Sequence, residues 1–231
     1  MAPCGKPVAL AVMLLLTLLA TFSVSAHKYL ETESSRTRED PVLVSDHQVS
    51  WAAYEELERE GQVDYYKFKA EKGEEIYASL LVPRIDRFSD FQPDLALIGP
   101  GLPDKLDERG APLDVREGEG ALVRRYEGEE NEVFFEPFTQ TSYWERQVIR
   151  RQAPEDGTYL VAVWSSRQEV GKYVLAIGER EAFGPADILE YPSVWWKVRI
   201  FAEREVSTYV ITGAILTGVA AGSVWLLSRF L

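Results

Sequence analysis

The chain has 231 residues, 46% of them hydrophobic, and a formal net charge of −12. That length holds one domain of ordinary size between two apolar ends, with a core that needs no disulfide staples. The acid excess excludes a nucleic-acid partner, whose phosphates demand a basic face, and excludes broad adhesion to anionic lipid headgroups.

Residues 1–26 read as a secretory signal peptide. Lys6 supplies the positive start, Val8 to Ala20 the apolar stretch, and Val24-Ser25-Ala26 a small-x-small cleavage site. An uncleaved anchor is the alternative reading. Cys4 is the one cysteine and precedes the apolar stretch, so it is not a lipoprotein cysteine, and the processed chain has no thiol. Cleavage leaves His27 first. His27 and His47 are the two histidines, and an amine with two imidazoles suits copper. The plainer reading is a mobile terminus and an exposed loop histidine. Residues 27–41 are rich in charge and hydroxyls and read as a flexible leader.

From residue 42 the pattern changes to short runs of period two. Tyr66, Phe68 and Ala70 share one face of a strand from Val63, and Gly73 serves the turn that follows. Ile76, Ala78, Leu80 and Val82 alternate along the next strand, which Pro83 limits. Asp94 to Gly99 is a third strand. Ala121 to Tyr126, Glu132 to Phe135 and Tyr143 to Arg150 are weaker candidates, the last with poor alternation. Pro103 to Gly120 is charged and reads as a long surface loop. After the turn at Ala153 to Gly157, Thr158 to Trp164 is nearly all apolar and is expected to be central. Gly171 to Ile177 is expected to pair with it. Many short strands without helical interludes predict a mainly β chain, an antiparallel sandwich over residues 42–180.

Ser50, Ala52, Leu57, Gly61, Val63-Asp64-Tyr65-Tyr66-x-Phe68, Gly73, Pro93-Asp94-Leu95, Gly157-Thr158-Tyr159 and Gly171-x-Tyr173 carry a likeness. Over about Val49 to Ile177 the chain resembles the bacterial pre-peptidase C-terminal domain. The resemblance implies a jelly-roll β-sandwich, with Ser50 to Glu60 as its first strand, of the kind appended to secreted enzymes and surface proteins. Trp51, Tyr54 and Leu57 also fit helical spacing. No protease accompanies the domain, and the charged loop has no counterpart in the family.

Some relatives of that fold bind calcium or collagen. Asp86, Asp90 and Asp94, then Asp104, Asp107 and Glu108, then Glu127, Glu129, Glu130 and Glu132 are the acidic groups, none at EF-hand spacing. Solvated loop carboxylates are the plainer reading. Tyr65, Tyr143, Trp144 and Trp164 are either the floor of a ligand groove or core. There is no Gly-x-Ser-x-Gly elbow, Walker loop or His-Glu-x-x-His, so no catalytic residue, cofactor or enzyme activity is expected.

Residues 181–206 form a helical stalk. A short helix is expected from Phe183 to Pro192, and a second from a Ser193 cap onward. The second either lies in the outer membrane interface, with Trp195 and Trp196 among the headgroups, or packs under the sandwich. Residues 207–228 are a predicted membrane span, Tyr209 to Leu227 being uncharged and about 20 residues long, as a bilayer core requires. Tyr209 and Trp225 stand at its two interfaces. Ala214, Gly218 and Gly222 recur every fourth residue, a face on which a second helix can approach closely. With Arg229 in a cytoplasmic tail (229–231), the N-terminal domain is extracytoplasmic on a single-pass cell-membrane protein. The sequence therefore reads as a non-catalytic, membrane-anchored binding or scaffolding module. Its partner would be a protein or glycan, with a further helix partner in the membrane. The runner-up is a copper-handling accessory using His27 and His47.

Overall fold

The computed structural model describes residues 27–103, 111–126, 128, 132–182 and 184–229. The signal-peptide reading and most of the acidic loop groups fall outside them. Two sheets pack face to face. One has the strand order β1-β3-β11-β5-β9-β8 and the other β2-β4-β10-β6-β7. The strands are β1 (Lys28–Tyr29), β2 (Val42–Leu43), β3 (Trp51–Leu57), β4 (Val63–Ala70), β5 (Glu75–Pro83), β6 (Asp94–Gly99), β7 (Gly120–Arg124), β8 (Val133–Glu136), β9 (Thr141–Gln152), β10 (Gly157–Trp164) and β11 (Gly171–Ile177). Apart from the short parallel β1 and β2, all pairs are antiparallel.

β3-β11-β5-β9 faces β4-β10-β6-β7, and the chain changes sheet at nearly every connection. That is jelly-roll wiring, two interlocked Greek keys. It corrects the expected pairing of the last two strands. β11 pairs with β3 and β5, and β10 with β4 and β6. Both runs are apolar enough to be central, so each takes the middle of its own sheet. The connection between them needs only to cross the roughly 10 Å between the layers.

The core follows from the period-two pattern. Tyr66, Phe68, Ile76, Leu80, Tyr159, Val161, Val163, Tyr173 and Leu175 point inward from both sheets. The alternate residues of β10, Leu160, Ala162 and Trp164, point the other way. They are covered by Ala111, Leu113 and Val115 of the long loop, which explains a strand apolar on both faces. β9 alternates poorly because of a bulge. Leu80 pairs with Gln147 and Leu81 with Glu145, leaving Arg146 over. Gly178 turns out of β11 at φ +73°, and a Cβ there would stand 2.3 Å from the Val49 carbonyl oxygen.

Within the core, the Tyr66 and Tyr173 hydroxyls meet across the two sheets at 2.8 Å, and Tyr173 donates to Asp64 at 2.6 Å. Gln62 also donates to Asp64, and Arg36 pairs with it at 3.2 Å. Desolvation outweighs these partners and holds the Asp64 carboxyl above its ordinary range. Arg36 and Arg38 belong to the segment read as a leader. It runs along the sandwich, with Leu30 buried and Arg38 paired to Glu119.

Two helices follow, α1 (Pro185–Phe201) and α2 (Glu205–Leu227). The expected break at Pro192 is absent, and one helix passes through it. Pro192 removes one ladder donor, a cost of about 3 kcal/mol, but tertiary contacts hold both halves. Asp187 pairs with Lys28 ahead of the proline, and Lys197 pairs with Glu31 beyond it. Asp187 also accepts the Gly184 N–H, and Pro185 takes the first turn.

Candidate functional site

The elbow between α1 and α2 is where the sandwich, the strut α1 and the apolar helix meet. α1 is about 25 Å long, close to the length of an eight-residue strand, and it runs down the outer face of the six-stranded sheet. Its start is pinned near Lys28. Its end brings Phe201 edge-on to Tyr54 at 5.4 Å, beside Tyr143 and Val174. The packed reading of this helix thus describes its inner face.

Arg199 is 2% exposed. Its Nη1 donates to the Thr139 carbonyl at 2.6 Å, Nε to Thr208 Oγ1 at 2.8 Å and Nη2 to Ser207 Oγ at 2.5 Å. One guanidinium therefore ties the last turn of α1, the first turn of α2 and the β8–β9 turn. The Trp195 ring lies beneath it at 4.8 Å. No carboxylate pairs with it among the described residues. Burial, then the charge of Arg204, pulls its pKa down. The turn it grips is itself fixed. The buried Glu136 carboxylate accepts the Phe138 and Thr139 N–H groups, and a hydroxyl chain runs from Thr139 through Thr141 to Tyr143.

Glu203 occupies the elbow at φ +57°. Its carboxylate accepts from Arg87, at 2.5 Å to Nη1, and from Lys172 at 2.9 Å. The Arg87 hydrogen bond, with Lys172 behind it, lowers its pKa to about 2. In the sequence, Arg199 and Glu203 lie within the predicted stalk (181–206) with no role assigned to them. The available signal was Arg199 standing beside Val198 and four residues after Trp195, inside the apolar stripe.

Beyond the elbow, α2 stands clear of the sandwich. Glu205–Trp225 is long and apolar enough to cross a membrane. Val206, Val210, Leu216, Val219 and Val224 are all more than 60% exposed. Trp196 and Tyr209 meet edge-on at 5.4 Å across the two helices, Trp195 lies under Arg199, and Trp225 sits under Arg229 at 4.3 Å. Ala214, Gly218 and Gly222 are exposed, and a Cβ on either glycine would meet nothing within 4 Å.

His27 and His47 occupy different cavities. His27 Nδ1 lies 2.5 Å from Ser50 Oγ in a cavity of about 80 Å³ lined by Tyr54, Tyr77, Glu136, Tyr143 and Glu145. Burial lowers its pKa against the pull of Glu136 and Glu181. His47 stacks on Phe68 at 5.0 Å, with Nε2 3.8 Å from Glu74. It lines a cleft of about 630 Å³ with Asp46, Lys69, Glu71 and Asp156, at the end of the sandwich opposite the elbow. Among the described residues no three His, Cys, Asp or Glu side chains gather as a metal site.

The four aromatics named as a possible groove floor are not brought together. Tyr65 and Trp164 lie under the long loop, Tyr143 is on the outer face of the other sheet, and Trp144 packs against the main core. Alternation sends residues of one strand to opposite faces, and the two sheets divide the rest. Asp94 is occupied internally, accepting from Ser166 and Arg125. No protein-family model matches the chain, and a search of curated proteins finds no significant match.

Proposed function

We propose that this chain is a non-catalytic binding module, exported across a membrane and held to its surface by α2. The observation that carries the reading is the contrast at the elbow. α2 leaves its apolar side chains uncovered over a length of about 34 Å, enough for a bilayer core of about 30 Å. Yet its first turn is fixed to the folded domain by Arg199. A soluble core helix would bury that surface, since apolar patches of this extent are otherwise a liability.

The signal-like residues 1–26 support export, and Arg229 supports a cytoplasmic C-terminus. In that topology the His47 cleft faces away from the bilayer, where a protein or glycan partner would meet the domain. The likeness to pre-peptidase C-terminal domains of surface proteins supports the same reading.

The test is alkaline extraction of membranes containing the full chain, followed by protease treatment of intact cells. Retention in the membrane pellet with external cleavage of the sandwich is the expected result. Release at alkaline pH, or protection of the sandwich until cells are lysed, overturns the proposal.

A further inference from the structure

Arg199 is a buried cation with hydroxyl and carbonyl partners but no anionic one among the described residues. A buried charge without a counter-charge costs several kcal/mol. Arg204 stands in the same elbow, its backbone N–H donating to the Arg199 carbonyl at 2.8 Å, and its guanidinium has no ion pair of its own among the described residues. The nearby carboxylate of Glu203 is already taken by Arg87 and Lys172. Glu205 opens α2 and complements the helix's positive end. Two unneutralised arginines side by side are unexpected in a chain of net charge −12.

Their position is equally specific. The exposed apolar surface of α2 begins at Val206, directly after them, and Ser207, an exposed residue, stands at the same level, its hydroxyl accepting from Arg199 and donating to the Arg204 carbonyl at 3.0 Å. In a bilayer-spanning α2, this is the depth at which lipid phosphates lie.

We propose that Arg204 and Ser207, backed by the buried charge of Arg199, form a site for the phosphate of one phospholipid headgroup. This rests on the membrane reading above. The phosphodiester oxygens would accept from the Arg204 guanidinium and from the Ser207 hydroxyl, which would exchange its bond to the Arg204 carbonyl, also held by Thr208, for the phosphate, and they would supply the anion that Arg199 lacks. Because the ligand is the phosphate, a zwitterionic phospholipid suffices, in keeping with a surface too acidic for general adhesion to anionic membranes.

The experiment is native mass spectrometry of the full chain released from phosphatidylcholine nanodiscs into detergent, counting retained lipid. Wild type is expected to keep one phosphatidylcholine. Arg204→Gln, at an exposed position, is expected to weaken retention roughly tenfold, the value of one charge-assisted hydrogen bond, and Ser207→Ala to weaken it less. Both variants should still pellet with membranes at alkaline pH. Equal retention by wild type and Arg204→Gln overturns the site. So does equal retention of a phosphate-free diglycosyl diacylglycerol. Inorganic phosphate displacing the lipid at equal concentration overturns the lipid as its source. A wild-type chain that leaves the membrane at alkaline pH fails on the earlier reading instead, so the two failures are distinguishable.

Discussion

Glu203 shows how a single side chain can set a pH response. Its folded pKa of about 2 lies below the ordinary carboxylate value, chiefly through Arg87. Its ion pairs therefore contribute stability above the unfolded pKa, and that contribution is lost as pH falls through the window from about 4.3 towards 2. Amide exchange of residues 200–206 should rise in that window, and Glu203→Gln should remove the pH dependence while raising exchange at neutral pH. An unchanged profile in the variant would assign the response elsewhere. In the core, Tyr173→Phe leaves Tyr66 and Asp64 each short of a partner. We expect a loss of about 1–3 kcal/mol in chemical denaturation. None of these pairings was legible in the sequence, because Tyr66 and Tyr173 are joined only by the sheet-to-sheet wiring, and no local spacing marks a buried arginine.

At the level of elements, the sequence was most informative where one face is buried and the other wet. β4 is bounded in the structure as its alternation and flanking glycines suggest, and β6, buried on both faces, as Pro93 before it and the glycines at its end suggest. β9 was obscure because the bulge at Arg146 flips its alternation midway, and Arg146 finds its own place, donating to the Ser89 carbonyl at 2.8 Å. α1 misled for the opposite reason. Local chemistry at Pro192 favours a break, and contacts on both sides override it. Pro192→Ala should therefore stabilise the protein by about 1–3 kcal/mol, read as a raised denaturation midpoint, because it restores a ladder donor within an existing helix. A loss of stability would mean that the proline shapes a bend the fold requires.

For the whole molecule, the question is how firmly the sandwich is oriented on the apolar helix α2. Three hydrogen bonds from Arg199 and the two cations on Glu203 converge within one turn of the elbow. Arg199→Ala strands the Thr139 carbonyl and removes packing over Trp195. We expect about 2–4 kcal/mol of destabilisation and a broadened distance distribution between spin labels on the sandwich and on α2 in nanodiscs. A distribution as narrow as wild type would show that Glu203 alone sets the angle. The long apolar helix itself was plain in the sequence, since an uncharged apolar run needs no tertiary information to be recognised. Its coupling to the domain was not, because that depends on a turn some 60 residues upstream. One mechanical consequence follows from where Arg199 holds on. Thr139 opens into β9, the longest strand, zipped along its length to β5. A tug arriving through α2 would load that zipper lengthwise, against many bonds at once, instead of peeling them singly from a free edge.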